Sequence, residues 1–382
     1  MTDFSLLPSH TFLPEGDNVK TFSDRWMTRC LELARLAAGR TAPNPLVGCV
    51  ILNQDVVVGE GFHPGAGQPH AEVFALAQAG AKAQDSTLYV NLEPCNHTGR
   101  TPPCTEAILQ AGVKRVVVGM VDPDPRVSGS GIQRLRQAGI DVVVGVEESA
   151  CQRLNEAFVQ RVTRQRPLGL LKYAMTLDGK IAATGGHSAW VTGPTARAAV
   201  HQLRATCDAV VVGGNTVRQD NPRLTSHGHG HNPRRVVMSR GLDLPAQAHL
   251  WNVEVAPTLV FTTSAADPRR HQTLVDQGVE VIVLPDLRPK AVTQDLYAQG
   301  CAALLWECGG QLAAQALQDE VIDKLWAFVA PKLVGGPTAP TPIGELGIRH
   351  MDKALAIERQ TWRILGEDLL LEGYLRGLSH QS

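Results

Sequence analysis

From Phe22 onward, short runs rich in Val, Ile and Leu alternate with amphipathic helical stretches. This alternation limits the fold more than any other feature, because it builds α/β layers in which helices cover a sheet. The spacing predicts strands over residues 48–52, 56–61, 87–92, 113–118 and 140–144, and helices over 24–38, 71–79, 105–111 and 131–138. Two of these helices end in Ala-Gly, at Gly80 and Gly112, where glycine can adopt the left-handed conformation that closes a helix. A helix over 150–164 leads into Arg166-Pro167, and a second α/β series then starts at Leu168. Its strands are expected over 170–175, 209–213, 235–238, 258–262, 279–284, 302–307, 324–329 and 368–374. A helix runs from Thr192, whose hydroxyl can cap the N–H groups ahead of Pro194, to Arg204. The expected organisation is a loose tail over 1–21, one domain over 22–166 and a second over 167–382.

Composition narrows the partners. Lys and Arg number 36 against 37 Asp and Glu, a formal charge of −1, so there is no basic excess for a nucleic-acid backbone and a small-molecule substrate is favoured. Every apolar run is interrupted before the ~20 residues needed to cross a bilayer. The first twenty residues do not read as a secretory leader. Eight widely spread cysteines suit thiols or metal ligands in a reducing compartment, and a cytoplasmic protein is expected. Cys30, Cys49 and Cys151 sit in apolar patterns and read as buried small hydrophobes. Oligomeric state, a homo-oligomer included, is left open.

Pro69-His70-Ala71-Glu72 enters a helix, Glu93-Pro94-Cys95 leaves a strand, and Cys104 opens the next helix. One imidazole and two thiolates would leave the fourth tetrahedral position of Zn2+ open for water, as in a catalytic site. Cys104, at a helix start, is favoured as thiolate by free N–H groups and the macrodipole. Zinc can lower the pKa of water towards ~7. Glu72, two residues from the His ligand, is then the carboxylate that moves a proton from water to a departing amine. A purely structural Cys2His site would staple two loops but leave Glu72 without a role.

His-x-Glu with Pro-Cys-x-x-Cys is the zinc deaminase signature; here eight residues, NHTGRTPP, separate Cys95 from Cys104. This long form resembles the deaminase half of the bifunctional riboflavin-biosynthesis deaminase/reductases. The resemblance extends through Thr41-Ala42-Pro43-Asn44-Pro45-Leu46-Val47-Gly48, through His63 in GEGFHPGAG, and through Asp122-Pro123-Asp124-Pro125 and Val127-Ser128-Gly129. It implies a cytidine-deaminase-like three-layer α/β/α domain acting on a phosphorylated pyrimidine, with substrate contacts at Asn44, His63, His97 and Arg100. By residue type alone, Asn44 between two prolines could equally be a turn former.

LKYAMTLDGKIAATGGHSAWVTGPTAR, from Leu171, resembles the reductase half of the same family, which implies a dihydrofolate-reductase-like α/β domain using NADPH. Hydride transfer needs few protein groups, since the nicotinamide carries the chemistry. A phosphate cradle should remain visible, and Trp306-Glu307-Cys308-Gly309-Gly310 running into a helix has that form. By position, the resemblance implies cofactor contacts at Ala174, Trp190, Thr216, Asp220, Ser239 and the turn from Gly309 and Gly310 to Gln315. It implies substrate contacts at Ser188, Arg204, Leu224 and Glu307. A guanidinium at Arg204 could bind a phosphate with paired hydrogen bonds, or be a surface cation at a helix end.

The family usually carries Arg a few residues after Asp-Asn-Pro-x-Leu, where this chain has His227, so either His227 or Arg223 would take its place. The run His227-Gly228-His229-Gly230-His231 reads as a floppy solvated loop in preference to a metal site. Lys172 and Asp178 are active-site candidates, with a structural Lys and a turn Asp as the alternative. Both motif sets in one chain point to deamination of 2,5-diamino-6-(5-phosphoribosylamino)pyrimidin-4(3H)-one followed by reduction of its ribosyl group to ribityl. The rival is a zinc deaminase of another nucleoside or base whose second half only binds.

Overall fold

A computed structural model describes residues 22–97 and 102–376. The two series form two separate sheets. The first has five strands, β1 (Gly48–Asn53), β2 (Val56–Phe62), β3 (Thr87–Leu92), β4 (Arg115–Met120) and β5 (Asp141–Val144), in the order β2-β1-β3-β4-β5. β1 runs antiparallel to β2 and β3, while β3, β4 and β5 are parallel. Alternation along the strands sends Ile51, Leu88, Val90 and Val116 to one face and Val50, Leu52, Tyr89 and Val117 to the other. Helices α2 (Ala71–Ala79), α3 (Cys104–Gln110) and α4 (Ser130–Gln137) bring residues to the first cluster, and α1 (Phe22–Arg35) and α5 (Glu148–Leu154) to the second, giving three layers.

The single helix expected over 150–164 is instead two, α5 and α6 (Glu156–Arg164). The break falls at Asn155, which is 2% exposed and whose side chain is bonded to Leu46: Oδ1 accepts the Leu46 N–H at 2.8 Å and Nδ2 donates to the Leu46 carbonyl at 3.0 Å. Asn91 grips the same turn, donating to the Leu46 carbonyl at 2.9 Å and accepting from Gly48 N–H at 2.7 Å. The Thr41–Gly48 segment, with Asn44 in it, is thereby held in place by two buried amides.

The second sheet has nine strands: β6 (Leu168–Thr176), β7 (Ala209–Gly213), β8 (Arg234–Met238), β9 (Thr258–Thr262), β10 (Glu280–Val283), β11 (Ala303–Trp306), β12 (Lys324–Ala330), β13 (Ile357–Leu365) and β14 (Asp368–Leu375). Their order is β10-β9-β8-β7-β11-β6-β12-β14-β13. The first seven in that order are parallel, and β14 and β13 add antiparallel at the edge. The central parallel strands bury both faces, which is why they read as unbroken apolar runs. β13 was not expected from the sequence, because its IERQTWRIL is polar and mostly exposed at the sheet edge. Helices α7 (Pro194–Thr206), α8 (Gly214–Asp220), α9 (Pro268–Asp276), α10 (Pro289–Ala298) and α11 (Gly310–Gln318) connect the strands.

α6 precedes the second series but spends its polar groups on it. Gln160 donates to Asp323 at 3.1 Å, Arg161 to the Tyr297 and Cys301 carbonyls at 2.9 and 2.8 Å, and Glu156 accepts from Lys324 at 2.9 Å. Gly39 sits at φ +74° against α7, and a Cβ there would lie 2.2 Å from the Ala205 carbonyl oxygen. The two layered bodies are therefore in direct contact.

Candidate active sites

The first site lies where β2, β3 and the starts of α2 and α3 converge. His70 is the residue before α2, in extended conformation, and Glu72 lies in the first turn. Cys95 follows β3, and Cys104 is the first residue of α3. His70 Nδ1 lies 3.2 Å from Cys104 Sγ and 3.5 Å from Cys95 Sγ, and all three donor atoms lie within 4.8 Å of one another. The Cys104 N–H also donates to Cys95 Sγ at 3.4 Å. Hydrogen bonding from the Cys104 thiol pulls Cys95 down towards thiolate against the effect of burial, with His70 acting in the same direction.

Glu72 is 3% exposed, and its Oε2 has no hydrogen-bond partner among the described residues. Burial pushes its carboxyl up, and the nearby Cys95 charge adds to this. A nitrogen and two sulfurs gathered this closely, next to an orphaned buried carboxyl oxygen, fit a tetrahedral zinc centre whose fourth position the protein does not fill, with a proton carrier beside it.

His63 follows β2 and faces the same site, its ring edge-on to His70 with centroids 5.5 Å apart. Its Nδ1 lies 3.0 Å from the Pro69 carbonyl, which can only accept, so this nitrogen carries the proton. Its Nε2 then accepts from Asn44 Nδ2 at 3.0 Å. Burial holds His63 below the ordinary imidazole value, consistent with that neutral tautomer. His97 is exposed, within electrostatic reach of Asp122 and Asp124, and Arg100 lies outside the described residues.

The sequence reading passed over Glu93. Its buried carboxylate accepts from the N–H groups of Asp122, Gly129, Gly131 and Ile132 at 3.1, 2.9, 2.9 and 3.2 Å. It ties the Asp122–Gly129 segment and the start of α4 to the strand end that carries Cys95. The available signal was an acidic residue next to Pro94-Cys95 with no chemical task of its own.

The second site is a cleft of about 1440 Å³ at the carboxyl ends of the parallel strands. Its lining brings together Lys172 and Ala174 on β6, Ser188 and Trp190 on the following loop, and Arg204 on α7. Thr216 and Asp220 come from α8, Arg223, Leu224 and His227 from the next loop, and Ser239 from the end of β8. Glu307, Gly309, Gly310 and Gln315 follow β11. At Gly310 a Cβ would lie 2.5 Å from the Thr341 carbonyl oxygen, so the turn into α11 requires glycine there. Ser188 donates to Asp220 at 2.9 Å, and Arg197, unremarked in the sequence, stacks over the Trp190 ring at 4.4 Å.

Two of the alternatives left open by the sequence are narrowed. Asp178 does not line the cleft; it accepts from Thr176 Oγ1 at 2.6 Å and from the Gly335 N–H at 2.6 Å, which makes it an organiser of the β6 turn. The His227–His231 run is the exposed loop expected, but it carries internal bonds. Asn232 Oδ1 accepts the Ser226 N–H at 2.9 Å and hydroxyl at 3.0 Å, and the same hydroxyl lies 2.8 Å from the Gly230 carbonyl, so the loop closes on itself.

Arg204 and Lys172 converge on Glu307, with Lys172 Nζ 3.8 Å from Oε2. Burial opposes the Glu307 charge, yet the Arg204 and Lys172 cations outweigh it and hold the carboxyl at about 2. Burial lowers Lys172 in turn.

Family models match both halves of the chain. Residues 20–120 match the cytidine and deoxycytidylate deaminase zinc-binding region, and residues 167–371 match the RibD C-terminal domain. Riboflavin biosynthesis protein RibD of Synechocystis is 60% identical over 92% of this chain and 96% of its own length; that of Aquifex aeolicus is 41% identical over 92% and 98%. The solved structure of Acinetobacter baumannii RibD is 39% identical and superposes with a TM-score of 0.83, covering 92% of this chain and 98% of that one. The Thermotoga maritima diaminohydroxyphosphoribosylaminopyrimidine deaminase/5-amino-6-(5-phosphoribosylamino)uracil reductase is 35% identical, also with a TM-score of 0.83 and with the same coverage. With a deaminase zinc site and a reductase cleft joined as in these relatives, the chain belongs to the RibD family of bifunctional riboflavin-biosynthesis deaminase/reductases.

Proposed function

We propose that residues 22–166 deaminate 2,5-diamino-6-(5-phosphoribosylamino)pyrimidin-4(3H)-one and that residues 167–382 reduce the ribosyl group of the product to ribityl with NADPH. The observation that carries this is the presence, in one chain, of the His70, Cys95, Cys104 and Glu72 cluster and the cleft around Lys172, Arg204 and Glu307.

In the deaminase half His70, Cys95 and Cys104 would hold zinc, which when bound would supply a Lewis acid that lowers the pKa of water. Glu72 Oε2 receives a proton from the attacking water and delivers it to the exocyclic amine, so that ammonia leaves as the ring carbon gains oxygen. Its burial favours the protonated carboxyl that the second transfer needs. Asn44 orients the heterocycle through its amide, which His63 holds in place, and His97 and Arg100 are further substrate contacts.

In the reductase half NADPH, when bound, would supply the hydride. The α11 N-terminus at Gly309 and Gly310, with Thr216, Asp220 and Ser239, binds the cofactor, and Ala174 and Trp190 flank it. Lys172, held between burial and Glu307, is placed to give a proton to the ribose oxygen as its carbon is reduced. Ser188, Leu224 and the Arg204–Glu307 pair position the sugar. The compartment we assign is the cytoplasm; eight free cysteines suit a reducing environment.

A coupled assay on the purified chain tests the reading. Ammonia release should precede NADPH oxidation, and a chelator should stop the first while sparing reduction of pre-deaminated substrate. No ammonia and no NADPH consumption with this substrate would overturn it.

A further inference from the structure

One wall of the C-terminal cleft carries more cationic groups than the chemistry above uses. His201 on α7 and His227 on the loop after α8 stack face to face, with centroids 4.0 Å apart and planes 20° from parallel. His229 lies tilted beside them, 6.0 Å from His201. The Ser226–Asn232 bonds and the buried Leu224 fix the loop, so the His227 ring is seated on His201 while remaining exposed to the cleft.

The charged groups facing this pair come from α7, from the loop itself and from the end of β11. Arg204 comes from α7, Arg223 and His229 from the loop, and Glu307, a lone carboxylate among them, from the end of β11, where Lys172 of β6 reaches it. Glu307 is already claimed by Arg204 and Lys172. Three of the five Arg204 donors are committed, two to Glu307 and one to the Thr225 carbonyl at 3.1 Å. Arg223 and His227 line the cleft with no ion-pair partner among the described residues. A net positive wall remains in a chain whose formal charge is −1, and an anion is what would balance it.

We propose that His227, seated on the His201 ring, is a ligand for the phosphate of the reductase substrate and takes up a proton when that phosphate binds. This deepens the reductase reading given above and rests on it. In the free protein, burial first and then Arg204 and Arg223 lower the His227 pKa, while burial and the neighbouring cations hold His201 at about 4. A bound dianion reverses the field at His227, the more exposed ring, and the stacked imidazole beneath it stays uncharged. The proton comes from solvent, because a phosphate ester with a second pKa of about 6 is already a dianion above pH 7. Affinity therefore falls as pH rises through the bound-state pKa of His227.

Reductase kinetics on the full chain with saturating NADPH and the deaminated phosphorylated pyrimidine decide the matter. KM should rise about five-fold or more between about pH 7 and about pH 8.5, with kcat changing far less. His227→Asn should raise KM several-fold at the lower pH and flatten the profile, His227→Arg should keep a low and flat KM, and His201→Phe should keep the slope. Ammonia release should be unchanged in all three. A flat wild-type KM, or a His227→Asn profile matching wild type, overturns the proposal while reduction itself proceeds. A wild-type chain that reduces nothing overturns the underlying reading instead, and the proposal with it.

Discussion

Arg204 and Glu307 face each other through a two-point contact, Nε to Oε1 at 2.6 Å and Nη2 to Oε2 at 3.0 Å, with only 12% and 9% of their side chains exposed. The guanidinium that the sequence offered as a free phosphate ligand is half of a closed pair. Removing one member of such a pair leaves a buried charge uncompensated, which typically costs about 3–5 kcal/mol. Arg204→Ala should therefore lower the melting temperature of the reductase half and cut NADPH oxidation at least about 10²-fold, while ammonia release below the melt stays within about two-fold. Equal loss of both activities would contradict two independent sites.

Glu72→Gln removes the proton carrier but none of the three metal donors. Deamination should fall by at least about 10²-fold with one zinc per chain still found by metal analysis. Cys104→Ser should lose the zinc as well. Retained deamination in Glu72→Gln would eliminate the proposed transfer.

Glu93 binds four backbone N–H groups, and an amide in its place must turn a donor towards some of them. Glu93→Gln is expected to destabilise the first domain by about 1–3 kcal/mol in denaturant titration and to weaken zinc retention, since Cys95 lies two residues away. Unaltered metal affinity would confine Glu93 to a role in folding.

His63 and His201 are both held below the ordinary imidazole value by burial, His201 at about 4. The unfolded chain takes up these protons first as pH falls. Their contribution to stability is therefore full above about pH 6.5 and is lost as pH drops from there through the folded values. Denaturation midpoints should fall between about pH 7 and about pH 5, and by less in His201→Phe. An identical pH dependence in that variant would remove His201 from the effect.

The sequence alone determined the two α/β series and the chemistry of the first site. Alternating periodicity marks strands and helices locally, and His70, Glu72, Cys95 and Cys104 are each set at an element end by Gly, Pro and helix-start signals close in the chain. Local signals did not reveal the break at Asn155, because it depends on an amide bonded to Leu46, 109 positions away. β13 was hidden for the same reason: a polar run becomes a strand only through the edge that β14 offers. The reductase cleft depended most on tertiary structure. Arg204 and Glu307 are 103 positions apart, and whether the guanidinium is free or paired, and whether His227 is loose or seated on His201, follows from packing between distant elements.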